Sequence, residues 1–258
     1  MVRNVAWRVM ACLSLLLWGV SGLAGATTPV PEGIASALSD PRRPTEQVGL
    51  DAARKPAVTV AFAGVKSGDR VADFMPGNAF FTRILSDVVG PTGHVYAFTP
   101  AEQIANCSAR ETAGIRAIAQ DSSYANVTVL ARALAEFQMP EKLDLIWTAQ
   151  NYHDLHDSFL GPPDIAKLNS RFFEALKPGG IFLVIDHVAE AGSGLRDTET
   201  LHRIDPIQMK REIEAAGFIF EGENVALRNP NDDHKRRIFD ALIRGRTDQV
   251  VYRFRKPR

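Results

Sequence analysis

The stretch Val71–Pro100, VADFMPGNAFFTRILSDVVGPTGHVYAFTP, constrains the chain more than any other. Val71 to Met75 is a short apolar run of strand length, broken by Pro76, Gly77 and Asn78. From Phe80 the period changes: Phe81, Leu85 and Val88 fall on one helical face, and Gly90-Pro91 stops the helix. His94 to Phe98 reads as a second strand ending at Pro100. Two parallel strands joined by a helix cross over right-handedly. The first turn and the helix N-terminus then lie at the carboxyl edge of the sheet, where open α/β sheets bind ligands.

The same alternation continues. Asp51 to Ala63 reads as helix with Pro56 as a break, Val58 and Phe62 sharing a face and Gly64 ending it. Ala101–Gln120 is expected as a helix with Ile104, Ile115 and Ile118 facing inward. Strands are expected at Val127–Ala131, Leu143–Thr148, Ile181–Ile185, Phe218–Leu227 and Gln249–Phe254, with helices at Pro163–Leu176 and from Asp205-Pro206 to Gly217. The last two strands have no helix between them, so they should be antiparallel. The expected class is therefore α/β: one Rossmann-like doubly wound sheet of seven strands, the last antiparallel.

The bend Asp73-Phe74-Met75-Pro76-Gly77-Asn78-Ala79, the LKPGGIFLVIDH tract from Leu176 to His187 and the AAGF-strand-strand ending resemble the class I S-adenosylmethionine (SAM)-dependent methyltransferases. More narrowly, the chain resembles a group of exported bacterial predicted methyltransferases. In the family the bend reads acid-x-Gly-x-Gly-x-Gly. Asp73 and Gly77 match, whereas Met75 and Ala79 stand where glycines are expected. The family's ribose-binding acid after the second strand is Thr99 here, and its Gly-Asp pair facing adenine is Ala131-Arg132. The resemblance implies SAM as cofactor, with Asp73, Met75, Gly77, Ala79, Thr99, Arg132 and Asn151 as the positions around it.

The N-terminus directs the address. Arg3 and Arg8 precede the apolar run Val9–Val20, and Ala24-Gly25-Ala26 is a cleavage signal, so residues 1–26 are expected to be a secretory signal peptide cut after Ala26. The remaining chain should be periplasmic or secreted, without stable membrane insertion. Residues 27–50 read as a flexible leader and linker, apart from a short helix at Glu32–Leu38, and 51–258 as the domain. Past Ala26 there are 28 basic and 30 acidic residues, a balance that favours neither nucleic acid nor an anionic surface as partner. Cys107 is the one cysteine left, so no intrachain disulfide can form, and a structural role is expected for it.

Five of the six histidines fall in segments expected at the ligand edge. Asn151-Tyr152-His153-Asp154 with His156 and Asp157 follow strand four; Asp186, His187, His202 and Asp205 follow strand five. Asp232, Asp233, His234 and Arg244 occupy a long loop after strand six, which could form a lid or a solvated loop. The family places the transferred methyl group beside the end of strand four. His153 or Tyr152 is therefore the expected proton acceptor, oriented by Asp154 or Asp186, with His187 nearby. The HDLHD tract also has the spacing of a metal pair, His153 and His156, which His187 or His234 could complete; an amphipathic loop explains it equally, and no metal ligand is assigned. The leading expectation is a methyltransferase acting on a small molecule. The alternatives are an exported ligand-binding protein on the same scaffold and a metal-dependent hydrolase.

Overall fold

The computed structural model describes Met1 and residues 30–258, except 107 and 162. The expected signal peptide and the structural role expected of Cys107 lie outside the described residues. Seven strands form one sheet in the order β3-β2-β1-β4-β5-β7-β6. They are β1 (Arg70–Phe74), β2 (His94–Pro100), β3 (Val127–Arg132), β4 (Leu143–Ala149), β5 (Leu176–His187), β6 (Ile219–Glu223) and β7 (Gln249–Arg255). The first five run parallel, and β7 is antiparallel to both β5 and β6, as the missing crossover helix requires.

Strand alternation divides the core between the two faces. Ala72, Phe74, Tyr96, Phe98, Ile146, Phe182 and Val184 pack under α8 (Ile165–Ala175) and α10 (Pro206–Ala215), with the Phe74 and Phe137 rings touching each other and both Phe98 and Phe172. Val71, Val95, Leu145, Trp147, Leu183 and Ile185 face α5 (Phe80–Val89) and the N-terminal helices. Each such aromatic or aliphatic side chain contributes about 1.5–3 kcal/mol by leaving water.

The N-terminal segment differs from the flexible linker expected from its prolines. From residue 31 it belongs to the domain: α1 (Glu32–Leu38) buries Ile34 and Ala37, and α2 (Thr45–Val48) buries Gln47. The guanidinium of Arg43 clamps the connection, donating to the Leu38 carbonyl and the Asp51 carboxylate, both at 2.9 Å. The next helix is broken at Pro56 into α3 (Asp51–Arg54) and α4 (Pro56–Ala63). In α4, Thr59, Val60 and Ala63 turn inward and Val58 is exposed.

The helix expected over 101–120 is two helices, α6 (Ala101–Asn106) and α7 (Ala113–Ile118). Glu111 caps the break by accepting the Ser108 N–H at 2.7 Å, and the Asn106 side chain donates to the Phe159 carbonyl. Ile104 consequently faces solvent while Gln103 turns inward. β6 is shorter than expected, because the Asn224 side chain caps a 3₁₀ turn at Val225–Leu227. Among the described residues, no helix is long and apolar enough to cross a membrane.

Candidate active site

The bend after β1 holds three residues in left-handed backbone: Met75 at φ 56°, Gly77 at φ 54° and Ala79 at φ 61°. Only glycine adopts this region without a Cβ penalty, so Met75 and Ala79 are strained by about 1–2 kcal/mol each. The surroundings enforce the geometry. The Met75 N–H donates to the Phe98 carbonyl at 2.9 Å, and its own carbonyl accepts from the Asn151 amide at 2.8 Å. Asn151 is in turn held by the Thr148 hydroxyl. One residue beyond Gly77, the Asn78 carbonyl accepts from Gln47 at 2.8 Å, and the Asn78 side chain accepts the Gly114 N–H at 2.6 Å. Gly114 has no room for a Cβ, which would sit 2.2 Å from the Asn78 carbonyl oxygen.

The bend borders a cavity of about 920 Å³ at the carboxyl edge of β1, β4 and β5. Segments far apart in sequence meet there: Arg54, Met75–Asn78, Gln103, Gln150–Asn151, His153–Asp154, His187, His202 and Arg237–Phe239. Loops after β4, after β5 and between β6 and β7 thus converge beside the bend. The guanidinium of Arg54 lies 4.7 Å from the Phe80 ring centroid and makes no side-chain hydrogen bond or ion pair among the described residues. Burial lowers its pKa. The Gln103 side-chain oxygen is buried without a hydrogen-bond partner among the described residues.

A histidine–carboxylate cluster forms the other end. His153 is 1% exposed, and its Nδ1 lies 2.8 Å from Asp186 Oδ1. A carboxylate oxygen only accepts, so this nitrogen carries the proton. Asp186 is fixed by the backbone N–H groups of His153 and His187, each at 2.7 Å. His153 Nε2 meets Asp154 Oδ1 at 3.1 Å. Burial alone would lower the His153 pKa, but the two carboxylates together raise it well above its ordinary value. Asp154 resists its own burial in the same way and is held at about 2 by His153. His202, in left-handed backbone at φ 54°, places Nδ1 3.7 Å from both Asp154 and Asp157. His187 hydrogen-bonds through Nδ1 to the Thr247 hydroxyl at 2.8 Å, and burial pushes its pKa down to about 3. It lines the cavity as a neutral imidazole.

The expected residues do not all reach the cavity. Met75, Gly77, Asn151, His153, Asp154 and His187 line the cavity. Asp73, Ala79 and Thr99 are buried behind the bend. Asp73 accepts from the Thr82 hydroxyl at 2.6 Å, and burial pushes its carboxyl up to about 7. Arg132 is exposed and borders a separate depression with Phe137 and Met139 instead of the cavity beside the bend. Tyr152 is 1% exposed, donates to Glu212 and accepts from Asn169. Burial raises its pKa well above the ordinary phenol value, so it is a packed support and not a proton acceptor. His153, whose pKa the two carboxylates raise, favours its protonated form and is poorly placed to accept a proton.

The metal pair that the spacing of His153 and His156 offered as an alternative does not form. His156 turns to Glu212 at 3.1 Å, and His234 turns to Asp248 at 3.1 Å. Asp232 is buried against Arg203 and anchors the long loop, whereas Asp233 is exposed. Sequence reasoning missed Arg54, Gln103 and the approach of His202 to Asp154 and Asp157. The first two sit in helices without a chemical motif, and the third depends on how two loops fold together.

No protein-family model matches the chain, and no curated protein matches it by sequence. Solved structures do match. A SAM-dependent methyltransferase from Aquifex aeolicus superimposes with a TM-score of 0.56 at 18% identity, covering 86% of this chain and 98% of that one. For a putative sarcosine dimethylglycine methyltransferase from Galdieria sulphuraria the TM-score is 0.55 at 16% identity, with 82% and 88% covered. The [4+2]-cyclase SpnF gives 0.56 at 17% identity, with 84% of each chain covered. Strand order and superposition together show that the chain has the fold of the class I SAM-dependent methyltransferases.

Proposed function

We propose that the protein is a SAM-dependent methyltransferase acting on a small molecule. One observation carries this reading. The positions where the family places three glycines, 75, 77 and 79, all keep left-handed backbone, although two of them are no longer glycine. Strain of this kind persists where the surrounding structure enforces a functional geometry. The cavity is of ligand-site size and has polar groups suited to an amino-acid nucleoside. The Arg54 guanidinium, unpaired among the described residues, would take the carboxylate. The Gln103 side-chain oxygen, without a partner among the described residues, would accept from a ribose hydroxyl or an adenine amino group.

SAM supplies, when bound, a methyl group on a sulfonium. The chain's own part is alignment and exclusion of water. Asn151 latches the bend through the Met75 carbonyl. His187, neutral at any pH near 7, can hold an acceptor by a hydrogen bond without adding charge. Phe239 and Ile238 border the cavity from the β6–β7 loop. We also place the protein outside the cytoplasm after cleavage behind Ala26; an exported chain beginning at Thr27 by intact mass would support this, and an uncleaved one would refute it.

Titration calorimetry of the tag-free protein with SAM tests the cofactor. One site per chain is expected, weakened at least about 10-fold by Arg54→Ala. Absence of heat at millimolar SAM overturns the reading.

A further inference from the structure

We infer that His153, Asp154 and His202 form a binding site for a divalent transition-metal ion of zinc type, with Asp157 beside it. Ligand atoms of the three residues lie within 4.8 Å of one another. Asp154 Oδ1 is 3.1 Å from His153 Nε2 and 3.7 Å from His202 Nδ1. These spacings bracket the ~3.3 Å that separates ligands held 2.0–2.1 Å from a tetrahedral ion.

Two further observations point to a cation. Asp157 is 2% exposed, and neither of its carboxylate oxygens has a hydrogen-bond partner among the described residues. One of them lies 3.7 Å from His202 Nδ1, on the cluster. Asp186, meanwhile, holds His153 Nδ1–H, so the ring directs Nε2 toward Asp154. This is the carboxylate–histidine support that orients metal-bound imidazoles. Three carboxylates therefore surround two imidazoles, and an ion would compensate the buried negative charge. Two nitrogens with a carboxylate favour zinc, nickel or copper over magnesium.

Arg237 competes for His202. Arg237 Nη2 lies 3.0 Å from His202 Nε2, and guanidinium can only donate. A neutral His202 then carries its proton on Nδ1, the nitrogen required for metal. Binding must move that proton to Nε2, displace Arg237, which is exposed, and release to solvent the proton that His153 Nε2 holds against Asp154, because only a neutral imidazole ligates. The three ligands line the cavity, so an ion there would face the proposed cofactor. That consequence rests on the methyltransferase reading; the metal site itself does not.

The test uses tag-free, chelator-treated protein titrated with zinc chloride, with magnesium chloride as the contrast. One zinc per chain is expected, and cobalt(II) substitution should give tetrahedral visible absorption bands. His202→Asn keeps a residue that tolerates left-handed backbone and should weaken zinc more than ~100-fold, beyond the loss typical of supporting partners. Arg237→Ala should bind zinc at least as tightly as the parent, and His156→Ala should bind it unchanged. Circular dichroism checks that each variant is folded. No zinc binding at 1 mM, or a folded His202→Asn with undiminished affinity, overturns the inference. Calorimetry with SAM in the presence of chelator separates failure of this site from failure of the cofactor reading.

Discussion

Replacing Asp73 with asparagine should make the protein less sensitive to alkaline pH. Asp73 is 3% exposed, and burial pushes its carboxyl up to about 7 from an ordinary 3.8, against the opposing effects of the Thr82 hydroxyl and nearby Arg54. Between those two values the folded chain holds a proton that the unfolded chain has released. Stability from this group is therefore full below 3.8 and falls as pH rises toward 7. The slope is ~1.4 kcal/mol per pH unit, and the accumulated loss above pH 7 is about 4 kcal/mol. Asparagine keeps an oxygen to accept from Thr82 and carries no charge at any pH. Urea unfolding at pH 5, 6, 7 and 8 should show a stability difference that shifts in favour of Asp73→Asn as pH rises to 7 and then levels. A poorly paired new amide would displace all four points equally, so the pH trend is the readout. A difference independent of pH would refute a buried, raised carboxyl at this position.

The ion pair of Arg203 with Asp232 is fully buried and ties the β6–β7 loop to the end of β5 through the Val188 carbonyl. Arg203→Ala strands the Asp232 charge and should cost about 3–5 kcal/mol in denaturant unfolding. Tyr152→Phe leaves the Asn169 amide without its 2.8 Å partner and should cost about 1–3 kcal/mol, with kcat of the folded fraction unchanged. Gly77→Ala meets no atom within 4 Å but forces an L side chain to φ 54°, so about 1–2 kcal/mol of destabilisation is expected by thermal unfolding.

The architecture was legible because its signals are local. The switch from strand to helical period at Phe80 and the short aliphatic run before Asp186 each report burial from neighbouring residues alone. The absence of a helix pattern between the last two strands likewise anticipated the antiparallel β7. The glycine-poor bend was legible as a turn, but its three left-handed residues were not. Met75 adopts that backbone only because Phe98, Asn151 and Thr148 hold it there.

Sequence by itself also gathered the histidines at one edge of the sheet, since topology determines where loops emerge. It did not determine which histidines meet. The i,i+3 spacing allowed a pairing of His153 with His156, yet a 3₁₀ turn sends His156 to Glu212 and leaves His153 to Asp186, Asp154 and the distant His202. Side-chain aim and buried charge depend on packing between segments dozens of residues apart. Only the folded chain decides whether Arg54 and Gln103 face a cavity, Arg132 faces solvent, and Tyr152 becomes a support.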